Sequence, residues 1–198
     1  VLGITYTWYQ STTTTQLGTG SQYTISAADT NVGDSLLCVA QAADSSGNVL
    51  TDTLSVSIQN TPPTISSTSF TPNTQLYIDS VVQCSATITD PDETITPQYS
   101  WVLIPGQHNP SSSSGLGLGN ASTLDLGTQN VYPEDTLSCQ VQATDSSGAA
   151  ATDFFQYSIS NRLPTAPAIE LSPSNPVAGL DDLVCRVLTP STDDDAQT

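Results

Sequence analysis

The sequence predicts an all-β protein, and three observations carry that prediction. Short β-branched or alternating segments recur along the chain, Gly, Pro, Asn and Asp turns divide them, and no long stretch carries a helical stripe. In chain order the expected strands are QYTISA (22–27), LLCVAQA (36–42), TLSVSIQ (53–59), VVQCSATI (81–88), YSWVLI (99–104), TLSCQVQAT (136–144), FFQYSIS (154–160) and LVCRVL (183–188). Eight short strands at this spacing indicate the sandwich class of all-β folds.

Charge narrows the partners. The 198 residues include 19 acidic and 2 basic ones, a formal net charge of -17. Arg162 and Arg186 are the only basic residues, and there is no Lys. Displacing counterions from a phosphate backbone needs Lys and Arg, so nucleic-acid binding is not expected. An anionic membrane surface is excluded for the same reason. No apolar run is long enough to span a bilayer, so no membrane insertion is expected. With no signal peptide and no Met, the chain reads as processed or as an excerpt of something longer.

An internal repeat organises the rest. DSLLCVAQAADSSG, from Asp34, matches DTLSCQVQATDSSG, from Asp135, at an offset of 101 residues. The same offset carries Cys38 to Cys139, Asp44 to Asp145, Gly47 to Gly148, Asn60 to Asn161 and Pro63 to Pro164. It also carries Pro72 to Pro173 and Cys84 to Cys185. One offset recurring in such different segments marks tandem repeats. Residues 62–161 form one complete copy, in which Cys84, Trp101 and Cys139 follow in that order, with the two Cys 55 residues apart.

This Cys–Trp–Cys order resembles the immunoglobulin-like sandwich. The resemblance implies a bridge from a strand-B Cys to a strand-F Cys, with a strand-C Trp packed on it. EDTLSCQVQATD (134–145) is similar to that family's E–F corner and strand F, except that Leu137 stands where a tyrosine corner has Tyr. Leu36 departs in the same way in the other copy. The likeness is therefore to a divergent bacterial- or archaeal-type tandem repeat of surface or filament proteins. It speaks for architecture and not for function.

The two ends read as the halves of a second such domain. Residues 1–61 supply its later strands, with Trp8 and Cys38, and residues 162–198 supply its first strands, with Cys185. Placing tail before head gives LVCRVLTPSTDDDAQT-VLGITYTWYQ, which parallels VVQCSATITDPDETITPQYSWVLI of the intact copy. Three arrangements produce this frame: a window on a long tandem array, a protomer that polymerises head to tail, or one chain folding its own ends together. A half-sandwich exposes its inner apolar face, and a head-to-tail contact that does not close generates a filament.

The resemblance implies an intradomain Cys84–Cys139 disulfide and pairing of Cys38 with Cys185 between adjacent units. It makes Trp8 and Trp101 core residues. An even Cys count at repeat spacing, with no CxxC or Cys/His cluster, argues against zinc. The compartment implied is oxidising, extracellular or cell-surface.

Sites of chemistry are few, and no enzyme is expected. His108, in the loop GQHNPSSSSG, is the only residue able to serve as a triad base, and it reads as an exposed loop residue. GLGLGN (115–120) reads as a flexible loop rather than a phosphate cradle, because no basic residue or helix pattern follows it. Asp90, Asp92 and Glu93 of DPDE, and Asp193, Asp194 and Asp195 of DDD, occupy equivalent loops. Such carboxylates suit calcium, the one cofactor considered, but without a complete calcium-loop pattern a solvated acidic turn is the preferred reading. Asn120 heads the one N-x-S/T glycosylation acceptor. Asp44 and Asp145 open hairpin turns.

Two function classes follow. One is the structural repeat unit of an extracellular filament, stalk or giant surface protein, with an adhesion role. Its partners are copies of itself head to tail, or neighbouring repeats of the same chain. The other is a carbohydrate- or protein-binding module of a secreted protein, using the 108–120 loop.

Overall fold

The computed structural model describes residues 3–107, 109 and 115–195. Their regular structure is antiparallel β-sheet plus one 3-10 turn, Leu126–Thr128. Contacts divide the chain into two compact units. The first is Val1–Thr64 with Ile88–Thr96 and Ala143–Ala151, and the second is Ile65–Thr87 with Pro97–Gln142 and Thr152–Thr198.

In the first unit β1 (Gly3–Gln10), β2 (Gln16–Thr19), β3 (Ser35–Ala43) and β4 (Val49–Ser57) form one sheet in the order β2-β1-β3-β4. Its centre is a continuous β1–β3 ladder that sets Trp8 opposite Cys38. Asp44 closes the β3–β4 hairpin: its NH donates to Asn48 O at 3.0 Å and its carboxylate accepts from the NH groups of Ser46 and Asn48. Gly47 takes a φ of 86°, which only Gly adopts freely.

The remaining strands are β5 (Thr64–Thr71), β6 (Val81–Thr89), β7 (Gln98–Ile104), β8 (Leu116–Gly119), β9 (Thr123–Asp125), β10 (Thr136–Thr144), β11 (Ala150–Ser158), β12 (Ala168–Ser172) and β13 (Val184–Thr189). They make three sheets, ordered β11-β10-β7-β8, β5-β6-β9 and β12-β13. A disulfide from Cys84 on β6 to Cys139 on β10 joins the first two, an arrangement compatible with a β-sandwich. Between them lie Phe70, Val82, Trp101, Leu103, Leu137 and Val141, each at most 2% exposed. Phe70 stacks on Trp101 with centroids 5.3 Å apart. The alternation of TLSCQVQAT explains this, because every second residue of a strand faces the same side.

Two expectations fail. QYTISA (22–27) is not a strand. At the repeat offset its first three residues match β9, which exists by pairing with Val81–Gln83 of β6. Gln22–Thr24 has no such ladder beside it, and β propensity alone does not hold an unpaired strand. GLGLGN, expected as a loop, contains β8, which pairs with β7. Its Leu–Gly alternation is a period-2 pattern that half-buries Leu116 and Leu118.

Candidate functional site

The covered sandwich interior of the second unit has two uncovered counterparts. The first is one face of the β2-β1-β3-β4 sheet, open except at Leu36, which is 2% exposed. Register sets Cys38 opposite Trp8 on one side and Leu54 on the other. Ala42 lies between Ile4 and Leu50, and Leu36 opposite Val56. These residues share one face. Ile4, Leu50, Leu54 and Val56 are 56–79% exposed. Asp52 interrupts the patch; its repeat counterpart Asp153 accepts a hydrogen bond from Thr68 Oγ1 at 2.8 Å.

The second face lies on the β12–β13 ribbon. Register sets Leu171 opposite Cys185 and Ile169 opposite Val187. Ile169, Leu171, Leu183 and Val187 are 57–61% exposed. The opposite side of the ribbon carries the Arg186–Glu170 ion pair at 3.2 Å, beside Val184, which is 56% exposed. At the repeat offset, Leu171, Leu183 and Cys185 correspond to Phe70, Val82 and Cys84, all at most 2% exposed. The same residue positions are buried in one copy and open in the other.

Cys84–Cys139 is bridged, with its S–S bond at 2.01 Å, and Cys38 and Cys185 are free thiols. Trp101 is fully buried and donates Nε1–H to Ala121 O at 2.6 Å. Trp8 makes the equivalent bond to Gly20 O at 3.0 Å and is half-buried in the single chain. The aromatic that covers Trp101 is Phe70; among the described residues Trp8 stacks on Tyr23, at 6.0 Å.

The acidic loops act as hydrogen-bond acceptors. Asp90 Oδ1 accepts from Asp92 N at 2.8 Å, and Asp92 Oδ2 accepts from Thr61 N at 2.6 Å. Glu93 Oε1 accepts from Ser146 N and Oγ at 2.7 and 2.8 Å. In the other loop Asp193 Oδ1 accepts from Asp195 N at 2.8 Å, and the buried Asp195 carboxylate accepts from Arg162 N and Nη1. Asp194 stands at the place of Pro91. Arg162 also lies over the Tyr77 ring at 4.1 Å and pairs with Asp79, whose carboxyl it holds below the ordinary carboxylate range. Among the described residues no three His, Cys, Asp or Glu side chains converge as a metal site requires.

Asn120 is exposed beside β8, in a groove of about 490 Å³ shared with Gln98, Gln140 and Gln142. His108 and Ser111–Ser114 lie outside the described residues.

Sequence reasoning missed Asp135. It is completely buried and accepts from Gly106 N at 2.7 Å, Asn109 Nδ2 at 2.8 Å and Tyr132 N at 2.9 Å. Asp34 repeats the motif, accepting from Asn31 N and Gln10 Nε2, both at 2.8 Å. The signal was available: both Asp residues open the two matched segments.

Comparison of the chain with protein-family models and with curated proteins finds no match in either. The disulfide is compatible with a secreted or extracellular protein. No helix among the described residues is long and apolar enough to cross a membrane.

Proposed function

We propose that this chain is a structural repeat unit of an extracellular filament, stalk or large surface protein, built from immunoglobulin-like sandwiches joined head to tail. One observation carries the reading. On the Cys38 and Cys185 faces, Leu36, Cys38, Leu171, Leu183 and Cys185 stand at the repeat positions of Leu137, Cys139, Phe70, Val82 and Cys84, which meet in the closed interior. Seating the β12–β13 ribbon of one copy on the β1–β3–β4 face of another rebuilds that interior. It covers Leu50, Leu54, Ile169 and Leu171 and brings Cys38 to Cys185. Each of these side chains contributes roughly 1.5–3 kcal/mol where its burial is complete and less where it is partial, before the cost of association. The contact uses different surfaces on the two partners, so it builds a filament wherever the rotation between copies does not close a ring. The work of such a unit is reach and mechanical continuity.

Denaturing gels of native material with and without reductant, plus disulfide mapping, test the proposal. A high-mass ladder that reductant collapses to a band near 20.6 kDa, with a Cys38–Cys185 linkage, is expected. Large bands that survive reduction would mean that neighbouring repeats of one continuous chain make the same contact. A monomer in both lanes, with both thiols free, would overturn the reading.

A further inference from the structure

We infer that Asn161 of one copy donates a hydrogen bond to the Asp44 carboxylate of the next copy, and that this bond fixes how consecutive copies are set end to end. The inference rests on the head-to-tail reading above and names a contact which that reading does not require.

It starts from a linker clamp that the chain builds once in full. Ahead of β5, Asn60 Nδ2 donates to Asp145 Oδ2 at 2.8 Å and Thr61 N donates to Asp92 Oδ2 at 2.6 Å. Asp92 is held by Asp90, and the Thr64 and Thr89 hydroxyls meet at 2.8 Å. The β10–β11 hairpin at Asp145, the 60–61 linker and the β6–β7 loop at Asp90–Asp92 are thereby tied together.

The clamp recurs ahead of β12, one contact short. Arg162 N donates to Asp195, Asp195 N donates to Asp193 Oδ1 at 2.8 Å, and the Thr165 and Thr192 hydroxyls meet at 2.9 Å. Asn161 is the counterpart of Asn60. It is exposed and has no hydrogen-bond partner among the described residues.

Its acceptor is identified by the repeat. Asp145 sits in a DSSG hairpin whose counterpart is DSSG at Asp44. The two turns have the same bonds: the Asp N closes at 3.0 Å and the Gly N at 3.1 Å in both. Asp44 Oδ2 accepts from its own Asn48 Nδ2 at 2.8 Å, where the other hairpin has Ala149. A carboxylate oxygen accepts two bonds, so Asn48 leaves room for a second donor. In a sandwich completed by two copies, one copy supplies β3 with Cys38 and its Asp44 hairpin. The other supplies Asn161, β12 and β13 with Cys185. Pairing the cysteines therefore brings Asn161 to Asp44.

The test measures non-covalent self-association of the full chain by sedimentation equilibrium. A Cys38→Ala/Cys185→Ala/Asn48→Ala parent removes the covalent link and frees Asp44 Oδ2 of the Asn48 amide, as Ala149 does in the other hairpin. Asn161→Asp sets two carboxylates against each other, and Asp44→Asn sets two amide donors against each other while retaining the Oδ1 acceptor that the turn uses. Each should weaken association about tenfold. The combination Asn161→Asp/Asp44→Asn reverses donor and acceptor and should return to within about threefold of the parent. Asn60→Ala, whose clamp is internal to the chain, should leave association unchanged. Association unmoved by either single variant, or a double as weak as the two losses multiplied, would overturn the clamp while leaving head-to-tail assembly standing. A parent that stays monomeric, with no Cys38–Cys185 bridge in native material, would overturn both.

Discussion

A carboxylate that is completely buried and surrounded by three donors decides what a single residue does here. Asp135 takes the NH groups of Gly106 and Tyr132 and the amide of Asn109. Asp135→Ala leaves buried donors without an acceptor and should cost about 3 kcal/mol in urea unfolding. A loss below about 1 kcal/mol would mean that water replaces the carboxylate. Gly106 is constrained by the same contact, since a Cβ there would lie 2.5 Å from Glu134 O. A second residue-scale effect concerns Asp145. Its carboxyl is held below the ordinary range first by the Asn60 amide, against opposing desolvation, with help from the Ala149 NH. A depressed carboxylate pKa contributes stability that is complete above the unfolded value of about 3.9 and is lost as pH falls through the folded value. The Asn60–Asp145 tie should therefore hold at neutral pH and release in acid. In a carboxyl NMR titration, Asn60→Ala should raise the Asp145 midpoint toward the ordinary value. An unmoved midpoint would show that the hairpin's own NH groups suffice.

At the scale of elements, the Cys84–Cys139 bridge ties β6 to β10 across a separation of 55 residues. Closing a loop of that length restricts the unfolded chain by about 4 kcal/mol in the entropy account. Cys84→Ala/Cys139→Ala should lose stability on that order, seen as a lower urea midpoint. An unchanged midpoint would place the stability wholly in the Phe70–Trp101 packing. The sequence made most of these strands legible because alternation reports which face is buried. It misassigned QYTISA because alternation says nothing of whether a ladder partner lies alongside. It misassigned GLGLGN because Gly reads as a breaker even where its neighbours keep a period of two. The two acidic loops were legible as equivalent, but their role was not. Whether a carboxylate meets a cation, water or the NH of Thr61 depends on where the linker runs. Asp135 went unnoticed for the same reason: its three donors are remote from it in sequence or carry no side-chain signal.

For the whole molecule, charge and apolar surface oppose each other. Every copy carries a formal charge of -17, so bringing two together costs repulsion that ions screen. The Debye length falls from about 30 Å at ~10 mM salt to about 8 Å at ~150 mM. Burial of Leu50, Leu54, Ile169 and Leu171 is indifferent to that screening. Self-association through the open faces should therefore strengthen as salt rises through this range. Leu54→Ser, at a site 79% exposed in the chain alone, should leave the monomer's melting temperature nearly unchanged and weaken association about tenfold at any fixed salt. Light scattering across a salt series, for the chain and for this variant, reads both effects. If association weakened with salt, attraction between charged groups would be holding the copies together, and the two apolar faces would not be the contact. If salt strengthened association and Leu54→Ser did not weaken it, the copies would meet through some surface other than the Cys38 face.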